Sequence, residues 1–279
     1  MINIGLTTAK QAELRPNSWA VYDQTSGKRI TFFELDELVK KTANGLMSLG
    51  LKKGDRVSIL SQNSIEFLSL FFACGRVGMV AHALNWRLGV EELSQIIKNG
   101  EPSVMITQGK FQSVAKDLQN KIDFIDHWLE YDADSDHTFD LLLDKSPSTE
   151  PILAADIGDE DPFFILYTGG TTGVSKGALH THKSAYFGML NQTVAERIVP
   201  SDVYMLTGQM FHIPVLLAMN YTSHGCPIVL MNFDAELALN LIQEEKVSGF
   251  LGITTMLNWM LAVEGFDNYD LSSLRCVQY

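Results

Sequence analysis

Cysteine, proline and positive charge are all scarce in this chain. Three cysteines, Cys74, Cys226 and Cys276, are scattered through 279 residues in apolar surroundings, without C-x-x-C spacing. An odd, dispersed set excludes a disulfide framework and points to reduced, buried thiols in a cytoplasmic protein. The 21 basic side chains are outnumbered by 33 acidic ones, a net charge of −12. That balance excludes broad binding to nucleic acid or anionic membranes, both of which need a basic surface, although a local basic patch for a phosphorylated ligand is compatible with it. A long apolar run is also missing. The most apolar stretch, Phe67 to Leu84, contains Gly75, Arg76, Gly78 and His82. It reads as helix, turn and strand, because an integral membrane segment needs about 20 apolar residues. Lys10, Glu13 and Arg15 interrupt the N-terminus before a signal-peptide core forms.

What is present is a regular alternation of helix and strand signals. Thr31 followed by Glu34 is a capping box, Leu35, Leu38, Val39, Ala43, Leu46 and Met47 recur at helical spacing behind it, and Gly50 supplies the stop. Lys53-Gly54-Asp55 turns the chain into a strand, Val57 to Leu60. Asn63 and Ser64 cap a helix through Phe72, and Met79 to Leu84 reads as the next strand. Glu91 to Lys98 is helical and Val104 to Thr107 extended. The polar, acidic stretch between Tyr131 and Asp161 reads as a looping excursion, since a buried strand, Phe163 to Leu166, follows it. From Ser201 a second series begins, with strands at Val203 to Leu206, Ile228 to Met231 and Phe250 to Ile253 and a helix at Ala235 to Glu245. The expectation is an α/β fold with mostly parallel βα sheets. Its first βα lobe is residues 1–200, and residues 201–279 begin a second. The final run, Leu274 to Tyr279, is strand-like, from which a chain truncated inside its fold is expected, with an exposed last edge at which a second copy pairs as a homodimer.

The chemistry is concentrated between Tyr167 and Gly177, which reads Y-T-G-G-T-T-G-V-S-K-G directly after a buried strand. Gly169, Gly170 and Gly173 let backbone N–H groups approach an anion, Thr168, Thr171 and Thr172 add hydroxyls, and Lys176 adds a point charge suited to phosphate oxygens. A polyphosphate fits this set; a Gly/Thr surface turn is the bland alternative. The spacing is neither G-x-x-x-x-G-K-[ST] nor G-x-G-x-x-G, so a Walker-type NTPase and a Rossmann dehydrogenase are both unsupported.

This segment resembles the signature loop of the adenylate-forming (AMP-binding) superfamily of acyl-CoA synthetases, peptide-synthetase adenylation domains and luciferases, usually Y-T-S-G-T-T-G-x-P-K-G. Gly169 stands where serine is common and Ser175 where proline is common. The double glycine is similar to that of bacterial long-chain fatty acyl-CoA synthetases. The similarity extends through Thr31 to Leu35, Lys53 to Val57, Asn63 to Phe67, Leu84 to Leu88, His182, Phe211-His212 and Leu271 to Tyr279. The resemblance implies the fold of the superfamily's N-terminal domain, truncated, and a ligase that converts a carboxylic acid, a long-chain fatty acid in the narrower reading, to an acyl-adenylate with ATP and Mg2+ and then transfers it to CoA. It also implies ATP-phosphate contacts from Thr168, Gly169, Gly170, Thr171, Thr172, Gly173 and Lys176, a metal contact from Thr168, and an acyl pocket beside His212. Asn232 stands where some relatives carry a lysine near the CoA path. The family's adenine turn, metal-binding glutamate, ribose aspartate and C-terminal lysine follow Tyr279, so the 279 residues are expected to be inactive alone. Two alternatives are a domain that loads a carrier protein and a non-catalytic module that holds nucleotide or a partner.

Other candidates carry blander readings. His180 and His182 form an H-x-H pair without a third ligand at suitable spacing. Asp156, Asp159, Glu160 and Asp161 lack the pattern of a calcium loop and read as a solvated charge run. Met205, Met210, Met219, Met231 and Met256 read as core.

Overall fold

The computed structural model describes residues 2–132, 138–168 and 175–279. Short runs of β-branched and aliphatic residues form its strands: β1 Trp19–Asp23, β2 Lys28–Thr31, β3 Arg56–Leu60, β4 Val80–Leu84, β5 Val104–Gln108, β6 His127–Tyr131, β7 Pro162–Thr168, β8 Lys176–Thr181, β9 Tyr204–Leu206, β10 Ile228–Leu230, β11 Gly249–Leu251 and β12 Cys276–Gln278. They build two six-stranded sheets, ordered β6-β5-β3-β4-β7-β8 and β12-β11-β9-β10-β1-β2. Every neighbouring pair is parallel except β7–β8 in the first sheet and β1–β2 in the second. The chain clusters into two compact units, one sheet in each: Met1–Thr7, Asp36–Gln62 and Glu66–Phe187 form the first, and Thr8–Leu35, Asn63–Ile65 and Gly188–Tyr279 the second.

In the first unit, β4 and β5 are buried along their whole length, as parallel strands covered on both faces should be. The Ile65–Val77 helix brings Phe67, Phe71 and Phe72 into a core that also holds Phe163 and Phe164. Arg76, on the last turn of that helix, is buried as well. Its guanidinium donates to Asp36 Oδ1 at 2.6 Å and, as a fork, to both carboxylate oxygens of Glu150 at 2.9 and 2.8 Å. Asp36 also meets Lys40 Nζ at 2.7 Å. The buried charge is thus fully paired, the condition under which an ionised side chain is tolerated away from water.

In the second unit, Met205, Val229, Leu239, Ile242 and Phe250 share one cluster between the sheet and the Ala235–Glu245 helix. Asp234 starts that helix by accepting the Leu237 N–H, and Lys246 ends it in the left-handed region at φ 53°. The capping box at Thr31 and Glu34 is formed in both directions: Thr31 Oγ1 accepts from Glu34 N–H, and Glu34 Oε2 from Thr31 N–H. Those bonds from Thr31 hold the Glu34 carboxyl below the usual range. The excursion expected between Tyr131 and Asp161 is not all loop, because Thr138–Lys145 is helical and buries Phe139 and Leu143.

Two histidines are buried in the first unit. His82 on β4 lies opposite Ser58 on β3, with Nδ1 2.6 Å from the serine oxygen. Burial, aided by the charge of Arg56, pushes its pKa down to about 3. His182 stacks on Phe163 with centroids 4.8 Å apart, and its Nδ1 accepts the Ile4 N–H. Burial pushes it down to about 4, although Asp161 and Asp159 pull the other way. Both rings are neutral in the folded protein near neutral pH, whereas unfolded histidine titrates near about 6.5. Below that pH the unfolded chain binds more protons, so stability is lost as pH falls, by up to about 1.4 kcal/mol per unit for each ring. The loss continues to about pH 4 for His182 and about pH 3 for His82. Urea denaturation between pH 6.5 and 5 should show this fall, and a Ser58→Ala/His82→Val variant should show a shallower slope than the wild type. An equal slope would place the proton uptake elsewhere.

Candidate functional site

A parallel strand leaves every following loop at the carboxyl edge of its sheet, which is where ligands of open α/β sheets bind. β7 runs parallel to β4, with Phe164 opposite Ala81 and Leu166 opposite Ala83, and so delivers Thr168 to that edge. The chain returns along β8, antiparallel to β7. The expected phosphate loop is therefore the connection of a β-hairpin, and the last rungs of the hairpin pair Tyr167 with Gly177 and Thr168 with Lys176. Gly169, Gly170, Thr171, Thr172 and Gly173 lie outside the described residues. Lys176 is exposed and has no ion-pair partner among the described residues, so its charge is available to a ligand. Behind it, the Pro162–Thr168 strand is anchored by Phe163 and Phe164 in the core and by the Tyr167 hydroxyl, which donates to Asn99.

The helix His182–Glu196 follows directly on β8. Thr181 and Ser184 start it by mutual bonds, Thr181 N–H to Ser184 Oγ and Ser184 N–H to Thr181 Oγ1. The H-x-H pair does not converge. His180 stacks on Phe164 and His182 on Phe163, each histidine on a different ring. Among the described residues no group of three or more His, Cys, Asp or Glu side chains is arranged to hold a metal ion. Three carboxylates of the acidic run are met by cations and N–H groups of their own unit. Lys53 meets Asp161 at 2.6 Å, Lys183 meets Glu160 at 2.6 Å, and the Ile2 N–H donates to Asp159. The bond from Lys53 holds the Asp161 carboxyl below its ordinary range.

In the second unit the carboxyl ends of β9, β10 and β11 likewise share an edge, because the three strands are parallel. His212 stands in the turn after β9, exposed, with its ring edge-on to buried Phe211 at 4.7 Å. Ile213, Ile253 and Trp259 are about half exposed in the segments that leave the same edge, and Trp259 stacks against Phe233. The turn is fixed by Asn63, which the sequence marks only as a helix cap. Its buried amide donates to the carbonyls of Gly208 and Met231 at 2.8 and 3.1 Å and accepts the Met210 N–H at 2.9 Å. Asn232 is turned toward Thr25, its Nδ2 3.2 Å from the threonine oxygen.

Two mostly parallel sheets, with a Gly/Thr-rich hairpin connection at the carboxyl edge of the first, are the architecture of the N-terminal domain of adenylate-forming enzymes. The chain belongs to the AMP-binding enzyme family, whose family model matches residues 8–279. It is 30% identical over 280 residues to the long-chain-fatty-acid–CoA ligase FadD13 of Mycobacterium tuberculosis, covering 99% of this chain and 54% of that protein. It is also 30% identical to a feruloyl-CoA synthase of an Amycolatopsis species, covering 98% of this chain and 53% of that one. Among solved structures it resembles the inhibitor-bound N-terminal domain of FACL13 from Mycobacterium tuberculosis, with a TM-score of 0.92 and 29% identity over 99% of this chain and 69% of that one. The chain spans about half the length of the curated relatives it matches. No helix of the described residues is long and apolar enough to cross a membrane.

Replacing Asn63 by alanine would leave one N–H and two carbonyls of the 208–231 region without their partner. Loss of a buried hydrogen-bonding group costs about 1–3 kcal/mol. Asn63→Ala should therefore lower the unfolding free energy measured by urea denaturation by that amount, and Asn63→Asp, which keeps only the acceptor, should recover part of it.

Proposed function

We propose that this chain is the nucleotide-gripping part of an ATP-dependent carboxylate–CoA ligase. The observation that carries this reading is the β7–β8 hairpin, which holds Thr168 and exposed Lys176 opposite each other at the carboxyl edge of a parallel sheet. Lys176 grips the β- and γ-phosphates of ATP, and the backbone and hydroxyls of residues 168–173 complete the cradle. The acid's carboxylate attacks the α-phosphorus, the bond from that phosphorus to the bridging oxygen breaks, and pyrophosphate leaves with the negative charge. A fixed ammonium near that leaving group stabilises the transition state more than the ground state. Mg2+ bound with the nucleotide would neutralise phosphate charge, with Thr168 as the contribution of this chain. A thiol then displaces AMP from the acyl-adenylate, giving the thioester.

CoA is favoured as that thiol over a carrier protein, because the relatives are named as CoA ligases for acids as different as long-chain fatty, ferulic and indoleacetic acid. A carboxylic acid with an apolar body is supported by the half-exposed Ile213, Ile253 and Trp259 near His212. The double glycine Gly169-Gly170 favours a long-chain fatty acid within that class.

In an active enzyme carrying this chain, Lys176→Ala should slow ATP–pyrophosphate exchange by about 2–4 kcal/mol of transition-state stabilisation, as removal of a preorganised charge donor does. Exchange at the wild-type rate would remove Lys176 from the mechanism. The 279-residue chain by itself should give no exchange above its Lys176→Ala control with short, aromatic or long-chain acids, since correct orientation of the reactants contributes about 7–11 kcal/mol. Exchange above that control would show that these residues suffice for adenylation.

A further inference from the structure

The lysine read as the phosphate ligand stands on the first residue of an edge strand, at the rung where that strand leaves the hairpin connection. β8 is exposed from Lys176 through Leu179 and, among the described residues, pairs only with β7. The register of an edge strand with one neighbour depends on the side chains that pack behind it. The neighbouring rung supplies them. Tyr167, directly opposite Gly177, is buried in a cluster with Leu60, Leu84, Leu93 and Ile96, and its hydroxyl donates to Asn99 Oδ1 at 2.5 Å. The ring lies against the backbone of Gly177, where a Cβ would come within 2.9 Å of Tyr167 Cζ. It also meets the ring of His82, with centroids 5.3 Å apart. His82 in turn fills the space left by Gly100, where a Cβ would fall 2.5 Å from its ring. Two glycines thus make room for two rings. They tie β8 through β7 and β4 to the end of the Val90–Gly100 helix that carries Asn99.

We propose that Tyr167 and Asn99 are positioning residues for Lys176: their hydrogen bond, with the ring seated on Gly177, fixes the last rungs of the hairpin and hence the backbone from which the lysine reaches the phosphates. The proposal rests on the reading of Lys176 as a phosphate ligand. It predicts that one hydrogen bond distant from the ligand controls affinity only while the lysine is there to be positioned.

The test is calorimetric titration of ATP and of tripolyphosphate into the 279-residue chain and four variants: Lys176→Ala, Tyr167→Phe, Asn99→Ala, and Tyr167→Phe combined with Lys176→Ala. Lys176→Ala should weaken binding about tenfold or more, as loss of a charged hydrogen-bond donor does. Tyr167→Phe, which keeps the ring, and Asn99→Ala, which removes the same bond from an exposed helix position, should each weaken it by about three- to tenfold. In the double variant the tyrosine change should add nothing to the loss from Lys176→Ala. Full affinity in both Tyr167→Phe and Asn99→Ala, with Lys176→Ala impaired, overturns the positioning role and leaves the phosphate reading standing. A tyrosine effect that persists undiminished without Lys176 overturns it too, because it would be general loosening. A wild-type chain that takes up neither ligand, or a Lys176→Ala variant that binds as the wild type does, overturns both.

Discussion

Parallel strand pairing is the constraint on which the rest of this structure depends. A strand that must lie parallel to its neighbour cannot be joined to it by a tight turn; the chain has to cross back over the sheet, usually as a helix. Each crossover sets the next loop at the same carboxyl edge, so one rule of connection gathers segments from distant parts of the sequence. In the first unit it brings together the loops after β3, β4, β5 and β7, and in the second those after β9, β10 and β11. The cost is that both faces of the strands must be buried. β4 and β5 are buried throughout, and the Ile65–Val77 helix is apolar enough to carry three phenylalanines inward, Phe71 against Phe164 of β7. The paired charges around Arg76 and the two neutral histidines are the polar groups this packing tolerates, each through a stated partner or by giving up its charge.

Against that background the antiparallel step from β7 to β8 stands out. A hairpin here replaces a crossover at the edge of the first sheet, and its connection is the glycine- and threonine-rich segment. The arrangement suits a polyphosphate. The incoming strand is rigidly set in the core by Phe163, Phe164 and Tyr167, while the outgoing strand begins with an exposed cation. Rigid support behind the segment proposed to hold the phosphates is what electrostatic stabilisation of a leaving group requires, since donors that must reorganise during reaction lose much of their effect.

Much of this was legible in the residues themselves. The capping box at Thr31 and Glu34, the strands around Val57 to Leu60, Met79 to Leu84 and Val104 to Thr107, and the Ala235–Glu245 helix all follow from local periodicity and caps, because the forces that set them act within a few residues. The expectation of an anion ligand was equally local, since it rests on glycines, hydroxyls and one lysine within eleven residues. The Thr138–Lys145 helix escaped notice because a polar, proline-flanked context masks a short amphipathic turn whose two buried residues are supplied with a core by distant parts of the chain.

Only the tertiary structure decided what these pieces do together. That Val21 pairs with Ile228, that Asn63 holds the turn before His212, and that Tyr167 sits between His82 and Gly177 depend on contacts separated by tens to hundreds of residues. Local sequence cannot encode them, because they are selected by how whole sheets close and bury their faces. The sequence alone determined the alternation of helices and strands over much of the chain, the absence of a membrane-spanning apolar run and the expectation of a phosphate-binding segment. The fold determined that the strands on either side of this segment pair antiparallel at a carboxyl edge with Lys176 opposite Thr168, since strand register is a property of two strands and their shared core and belongs to neither strand alone.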